Sequence, residues 1–144
     1  MAHSSVQIRE MVQPGRVHRQ LYTDPDIFAL EMERIFGHAW VYVGHDSQVK
    51  NPGDFATTRI GQQAMVMVRH SDGEIYVIHN RCAHRGSRVV NRDKGQVKEF
   101  VCCYHGWVYD TDGRLTGVPL NHGYPEHFSP DDPKTAMVQA PRVT

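Results

Sequence analysis

The chain has 144 residues, 40% hydrophobic and 22% charged, enough for one domain with a single buried core, alone or with an appendage. Sixteen Lys and Arg balance sixteen Asp and Glu, so the chain lacks the positive excess that nucleic acid or an anionic membrane surface requires. No apolar run exceeds five residues, which argues against a membrane-spanning helix, and the first thirty residues hold no apolar signal core, so the expected location is the cytoplasm.

Residues 1–22 are polar around a Pro14-Gly15 turn and read as a loosely ordered lead-in. Thr23-Asp24-Pro25 opens a helix: a capping side chain, then Pro in the first turn, where no backbone N–H is needed. Phe28, Met32, Ile35 and Ala39 recur at helical spacing with Gly37 as terminator, which predicts an amphipathic helix of about twelve residues packed on the core. From Trp40 the signal changes to short strands. Trp40–Val43, Phe55–Ile60, Ala64–Arg69, Ile75–His79, Val108–Tyr109 and Leu115–Val118 are strand-like. Turns fall at Asn51-Pro52-Gly53-Asp54, Gly61-Gln62-Gln63, Ser71-Asp72-Gly73 and Thr111-Asp112-Gly113. The segment after Pro119 reads as loop, Met137–Val138 begins one more strand, and the stop at Thr144 reads as a cut. The expected fold class is mainly β, small antiparallel sheets preceded by a helix, divided into a lead-in with its helix (1–39) and a β domain (40–144).

Ten His accompany only three Cys, and an odd, small Cys number without a secretion signal does not suit a disulfide scaffold. The informative segments are Cys82-Ala83-His84 and Cys102-Cys103-Tyr104-His105, separated by seventeen residues (85–101). Each supplies one thiolate and one imidazole. A zinc finger instead draws both Cys from one hairpin and both His from one helix. Two loops offering one Cys and one His each suit a binuclear cluster, one iron taking Cys82 and Cys102 and the other His84 and His105, as in a Rieske [2Fe–2S] centre. Exchanging two thiolates for neutral imidazoles raises the potential, to roughly −150 to +300 mV against about −400 mV for an all-Cys plant-type cluster. Each imidazole keeps a second ring nitrogen facing outward. Gly86 and Gly106 are expected to let backbone N–H groups reach the sulfur. A mononuclear Cys₂His₂ zinc site, stapling a binding module, and a Cys82–Cys102 disulfide are the alternatives. Only Cys102 gives C-x₂-H with His105, so Cys103 is expected to be a free thiol facing away.

With these residues the sequence resembles the N-terminal part of the large (α) subunit of Rieske non-haem iron ring-hydroxylating oxygenases. The likeness runs from about Tyr22 to the end. It covers the helix leading into Phe36-Gly37-His38-Ala39-Trp40, then Pro52-Gly53-Asp54-Phe55, Asn80-Arg81-Cys82-Ala83-His84-Arg85-Gly86, Cys102-Cys103-Tyr104-His105-Gly106-Trp107 and Gly113-Arg114-Leu115. Respiratory-chain Rieske proteins carry extra loop cysteines, at positions held here by Ser87 and Tyr104, and soluble Rieske ferredoxins lack the long helical lead. A stand-alone ferredoxin-type carrier is the alternative function.

The resemblance implies a Rieske domain that takes single electrons from a ferredoxin or ferredoxin reductase. It would hand them to a mononuclear Fe(II) in a catalytic domain, where O₂ is activated and an aromatic ring mono- or dioxygenated. It also implies transfer into the catalytic domain of a neighbouring subunit, within a trimer with or without a β subunit, through a carboxylate that meets His105. The family's D-x₂-H-x₄-H motif has one near match, His122 and His127, but Pro119 stands where Asp belongs, and Gly123 and Pro125 disfavour a helix. The catalytic domain is therefore expected to be absent from this chain, leaving an electron-transfer half. Trp107 is expected to shield the cluster. Arg85 offsets its charge, docks a partner or forms a surface ion pair; Tyr104 hydrogen-bonds near the cluster or only packs. His38, His45, His70 and His79 read as strand-end or surface groups.

Overall fold

The computed structural model describes residues 5–144. The chain divides into two compact units, Met1–Tyr42 and Val43–Thr144.

In the first unit the expectation of a loose lead-in is corrected for residues 5–22; residues 1–4 lie outside the described residues. Ser5–Glu10 is a short helix (α1), Val12–Gln13 (β1) and Arg16–Val17 (β2) pair antiparallel, and Gln20–Thr23 is one helical turn (α2). The hairpin turns at Pro14-Gly15, where Gly15 takes a positive φ of 75° that a Cβ would disfavour. The expected helix is present as α3, Pro25–Arg34. Asp24 is its cap, accepting from the N–H groups of Asp26 and Ile27, and Pro25 fills the first turn. Its buried residue is Ile27, not a member of the periodic set; Phe28 and Ile35 stay about half exposed. Spacing alone cannot decide which of two adjacent apolar residues turns inward. Gly37 lies beyond the helix end, and a Cβ there would stand 2.5 Å from the Glu33 carbonyl oxygen, so glycine lets this turn close. Trp40–Val43 forms no strand, and Trp40 and Tyr42 are exposed. Their β propensity has no partner strand to act on.

The second unit is antiparallel β throughout. Asp54–Ile60 (β3), Gln63–Arg69 (β4), Ile75–His79 (β5) and Lys94–Gln96 (β6) form one sheet in the order β5-β4-β3-β6. Glu99–Val101 (β7), Val108–Asp110 (β8) and Leu115–Gly117 (β9) form a second in the order β7-β8-β9. Every other sequence-predicted strand from Phe55 on lies within about a residue of its expected place, apart from that at Met137–Val138, where a lone bridge joins Ile78 to Gln139. The strand β6 carries no sequence signal, since Lys-Gly-Gln is not an apolar run, and β7, Glu-Phe-Val, overlaps the apolar run 100–104; register against β3 and β8 holds them. Apolar at every position from 64 to 68, β4 runs between β3 and β5 and is covered on both faces. Val66 and Val68 join the main core with Phe55, Ile78, Phe100 and Leu115, while Met65 and Met67 pack with Val49 and Val77. Among the described residues no helix is long and apolar enough to cross a membrane.

Candidate metal centre

Two tight loops leave the sheets and are built alike. One follows β5, where the Cys82 N–H donates to the Ser87 carbonyl and the Gly86 N–H to the Cys82 carbonyl, both at 2.8 Å. The other joins β7 to β8, with Cys102 N–H to Trp107 carbonyl at 2.8 Å and Gly106 N–H to Cys102 carbonyl at 2.9 Å. Gly86 and Gly106 have φ of 71° and 70°, which is the reason for glycine four residues after each cysteine. The expectation that their N–H groups serve sulfur is therefore corrected: both donate to a carbonyl within their own loop. A Cβ at Gly106 would also stand 2.8 Å from Pro119 Cγ.

A buried side chain braces the first loop. Asn80 Oδ1 accepts from the N–H groups of Val89 (3.0 Å) and Val90 (2.8 Å), and its Nδ2 donates to the Val90 carbonyl at 2.7 Å. Asn80→Ala leaves these buried groups unpartnered and is expected to cost about 2–3 kcal/mol, read as a lowered urea midpoint at unchanged slope. An unaltered midpoint would show that the brace carries no load.

The loops set the two imidazoles side by side and both thiols in the core. Cys82 and Cys102 are buried in the same core cluster and are free thiols rather than a disulfide. His84 and His105 lie nearer the surface with ring centroids 4.7 Å apart. Cys103 is exposed, and among the described residues its one hydrogen-bond partner is the Asn91 amide, at 3.9 Å. His84 Nδ1 is buried and has no hydrogen-bond partner among the described residues. A buried acceptor left so costs about 1–3 kcal/mol unless something takes up its lone pair, and a metal atom does that. Burial first, then His105 and Arg85, hold the His84 pKa below its ordinary value, which keeps the ring in the neutral form that binds metal. A pair of thiols and a pair of imidazoles, one of each from either loop, suits a binuclear cluster.

Trp107 is buried and stacks on His84, with centroids 4.9 Å apart and planes within 8°. Its indole N–H donates to the Tyr124 hydroxyl at 2.9 Å. Tyr104 is largely exposed and lies against His105 at 3.8 Å between centroids. Arg85 is exposed and in no ion pair among the described residues. His70 is more than a surface group: its Nδ1 meets the hydroxyl of buried Thr111 at 2.6 Å, linking the β4–β5 turn to that of β8–β9. His122 and His127 are exposed on a loop and one 3₁₀ turn, not on a helix.

One residue escapes a motif-based reading. Tyr109 is fully buried, and its hydroxyl accepts from the Ala83 N–H and lies 3.1 Å from Cys82 Sγ. Between this hydroxyl and the Cys82 thiol either can be the donor; with Cys82 as thiolate only the hydroxyl can be. Burial, then the bond to Cys82, push its pKa well above the ordinary tyrosine range, so it stays a donor. A tyrosine at an inward position of a core strand must find a partner, and that was the available signal.

A model of the Rieske [2Fe–2S] domain matches residues 39–128. The chain belongs to the Rieske [2Fe–2S] domain family. Among curated relatives of this Rieske chain, the chlorobenzene dioxygenase alpha subunit of Cupriavidus sp. (strain PS12) is 47% identical over 106 residues, covering 74% of this chain and 24% of the relative. The biphenyl 2,3-dioxygenase alpha subunit of Rhodococcus jostii (strain RHA1) is 44% identical over 115 residues, 78% of this chain and 25% of the relative. Among solved structures, naphthalene 1,2-dioxygenase with indole bound superimposes with a TM-score of 0.80 at 34% identity, over 84% of this chain and 27% of that one. A quaternary ammonium Rieske monooxygenase in complex with L-carnitine gives 0.74 at 29% identity, over 83% and 33%. The Rieske chain thus spans about a quarter of the length of the curated relatives it matches.

Proposed function

We propose that Cys82 and Cys102 hold one iron of a Rieske [2Fe–2S] cluster, that His84 and His105 hold the other, and that the chain is the electron-transfer portion of a ring-hydroxylating oxygenase large subunit. The unpartnered Nδ1 of His84, buried beside His105 and the core that holds both thiols, is the observation that carries this reading. When bound, such a cluster takes up and releases one electron at a time. The residues around it do the rest. Trp107 and the buried core keep water from the thiol side, and His84 and His105, both half-buried, would each keep a second ring nitrogen free of the metal. With Cys82 as thiolate, the Tyr109 hydroxyl would donate to its sulfur.

The donor in this reading is a ferredoxin or ferredoxin reductase. The acceptor is a mononuclear Fe(II) in a catalytic domain, reached in a neighbouring subunit of a trimer, with or without a β subunit, in the cytoplasm. The aromatic-compound dioxygenases among the relatives support an aromatic substrate. Reconstitution with iron and sulfide under nitrogen tests the cluster: a red-brown protein, EPR-active after dithionite, is expected. A colourless protein binding one zinc would overturn it. Bleaching of the loaded chain by NADH with a ferredoxin and its reductase, and not without the ferredoxin or reductase, tests the electron route.

Tyr109→Phe removes a hydrogen bond to a thiolate sulfur. That bond favours the more negative, reduced state, so its loss is expected to lower the potential of the loaded protein by about 1 kcal/mol, roughly 40–60 mV. A redox titration giving the wild-type potential would show that the hydroxyl does not act on the site.

A further inference from the structure

A cleft of about 250 Å³ opens in the second unit between the β3–β4 end of the larger sheet and residues 88–93. Its lining includes three arginines, Arg59, Arg88 and Arg92, all exposed. Arg59 is pinned by its Nη2 to the Gln62 carbonyl at 3.0 Å, a neutral partner that leaves its charge uncompensated. Arg88 and Arg92 have no ion-pair partner among the described residues, and Asp93, the single carboxylate lining the cleft, pairs with none of the three. Like charges gathered without counter-charge repel one another, and a bound carboxylate relieves that repulsion. Guanidinium is also the side chain whose planar donors match a carboxylate.

The positive charge continues past the cleft. Residues 81–92 hold Arg81, Arg85, Arg88 and Arg92 and no acidic residue, in a chain whose charges otherwise balance. This is the segment that carries Cys82 and His84, and Asn80 ties its two ends together. We propose that the cleft and this arginine-rich loop form a docking site for the clustered carboxylates of an acidic protein partner. The spread of the four arginines along the loop exceeds what one small anion can neutralise, which favours a protein surface. The partner's identity as electron donor rests on the function proposed above; the carboxylate specificity does not.

The test is titration calorimetry of the full chain with hexaglutamate at low ionic strength, for the wild type, Arg88→Gln/Arg92→Gln and Lys134→Gln, a distant exposed cation. Arg88 and Arg92 make no side-chain hydrogen bond or ion pair among the described residues, so their loss leaves the fold intact, which thermal melting verifies. Binding about tenfold weaker in the double variant, unchanged in Lys134→Gln and weakened by salt, is expected. Equal binding by the double variant and the wild type, or no binding at all, would overturn the proposal. So would displacement of the peptide by an equal concentration of inorganic phosphate, which would mark a small-anion site. Iron and sulfide are assayed on the same samples. A chain that stays metal-free after that reconstitution and still binds hexaglutamate through Arg88 and Arg92 supports the cleft and overturns only the cluster reading.

Discussion

Cys102→Ser is expected to yield a protein with no visible absorption, no acid-labile sulfide and no EPR signal on reduction, while Cys103→Ser keeps all three. The two neighbours differ in placement, not chemistry. Cys102 is 2% exposed, and its backbone is fixed at both groups, N–H to Trp107 and carbonyl to Gly106. Its side chain therefore has one direction, into the core that also holds Cys82. Cys103 is exposed, and among the described residues its sulfur has one hydrogen-bond partner, an amide at 3.9 Å. For Cys103 to replace its neighbour, the loop would have to break both bonds of Cys102 and drag Gly106 out of its left-handed conformation. That costs more than one misplaced ligand recovers. The stability of Cys103→Ser should stay within about 0.5 kcal/mol of wild type, as for an exposed position without structural partners. Loss of colour in Cys103→Ser with retention in Cys102→Ser would move the ligand register by one residue.

The ligand loops were legible because each must meet two demands at once: a thiol and an imidazole a few residues apart, then a glycine. Positive φ at Gly86 and Gly106 explains that glycine, but the sequence reading attached it to the wrong hydrogen bond, since a motif shows which residue is needed and not which atom uses it. The strands β3, β4 and β5 were readable from apolar runs closed by Gly-containing turns. The strand β6 was not, because a three-residue strand made from Lys, Gly and Gln is held by pairing rather than by its own preference, and β7, Glu-Phe-Val, is too short to stand out from the apolar run that leads into the second ligand motif. Trp40–Val43 fails in the opposite way, having the composition of a strand and no partner. The exposed hairpin β1–β2 is set by one Pro-Gly turn. The Tyr109–Cys82 contact was invisible because its residues lie 27 apart in sequence and neither motif includes the tyrosine.

Trp107→Ala is expected to destabilise the chain by about 3–5 kcal/mol and to broaden the EPR spectrum of whatever cluster remains. The first effect follows from burial: Trp107 is 4% exposed and sits among Tyr109, Tyr124 and Phe128. The second follows from geometry. An imidazole can turn about its two side-chain torsions, and on one face of His84 the parallel indole restricts that rotation. The indole is itself held, since its N–H is bonded to Tyr124 and Tyr124 stacks on Phe128 at 4.4 Å. The chain of contacts runs from the 124–128 loop, through Trp107, to the nitrogen that lacks a partner. Trp107→Phe separates packing from orientation, because it keeps an aromatic face against His84 but gives up the bond to Tyr124. It should recover most of the stability but still broaden the spectrum, as should Tyr124→Phe, which loosens the indole without emptying the core and so leaves the urea midpoint little changed. If Trp107→Ala, once loaded, gave the wild-type line shape, His84 would be held by its loop backbone alone, and the indole would be a core residue with no part in positioning a ligand.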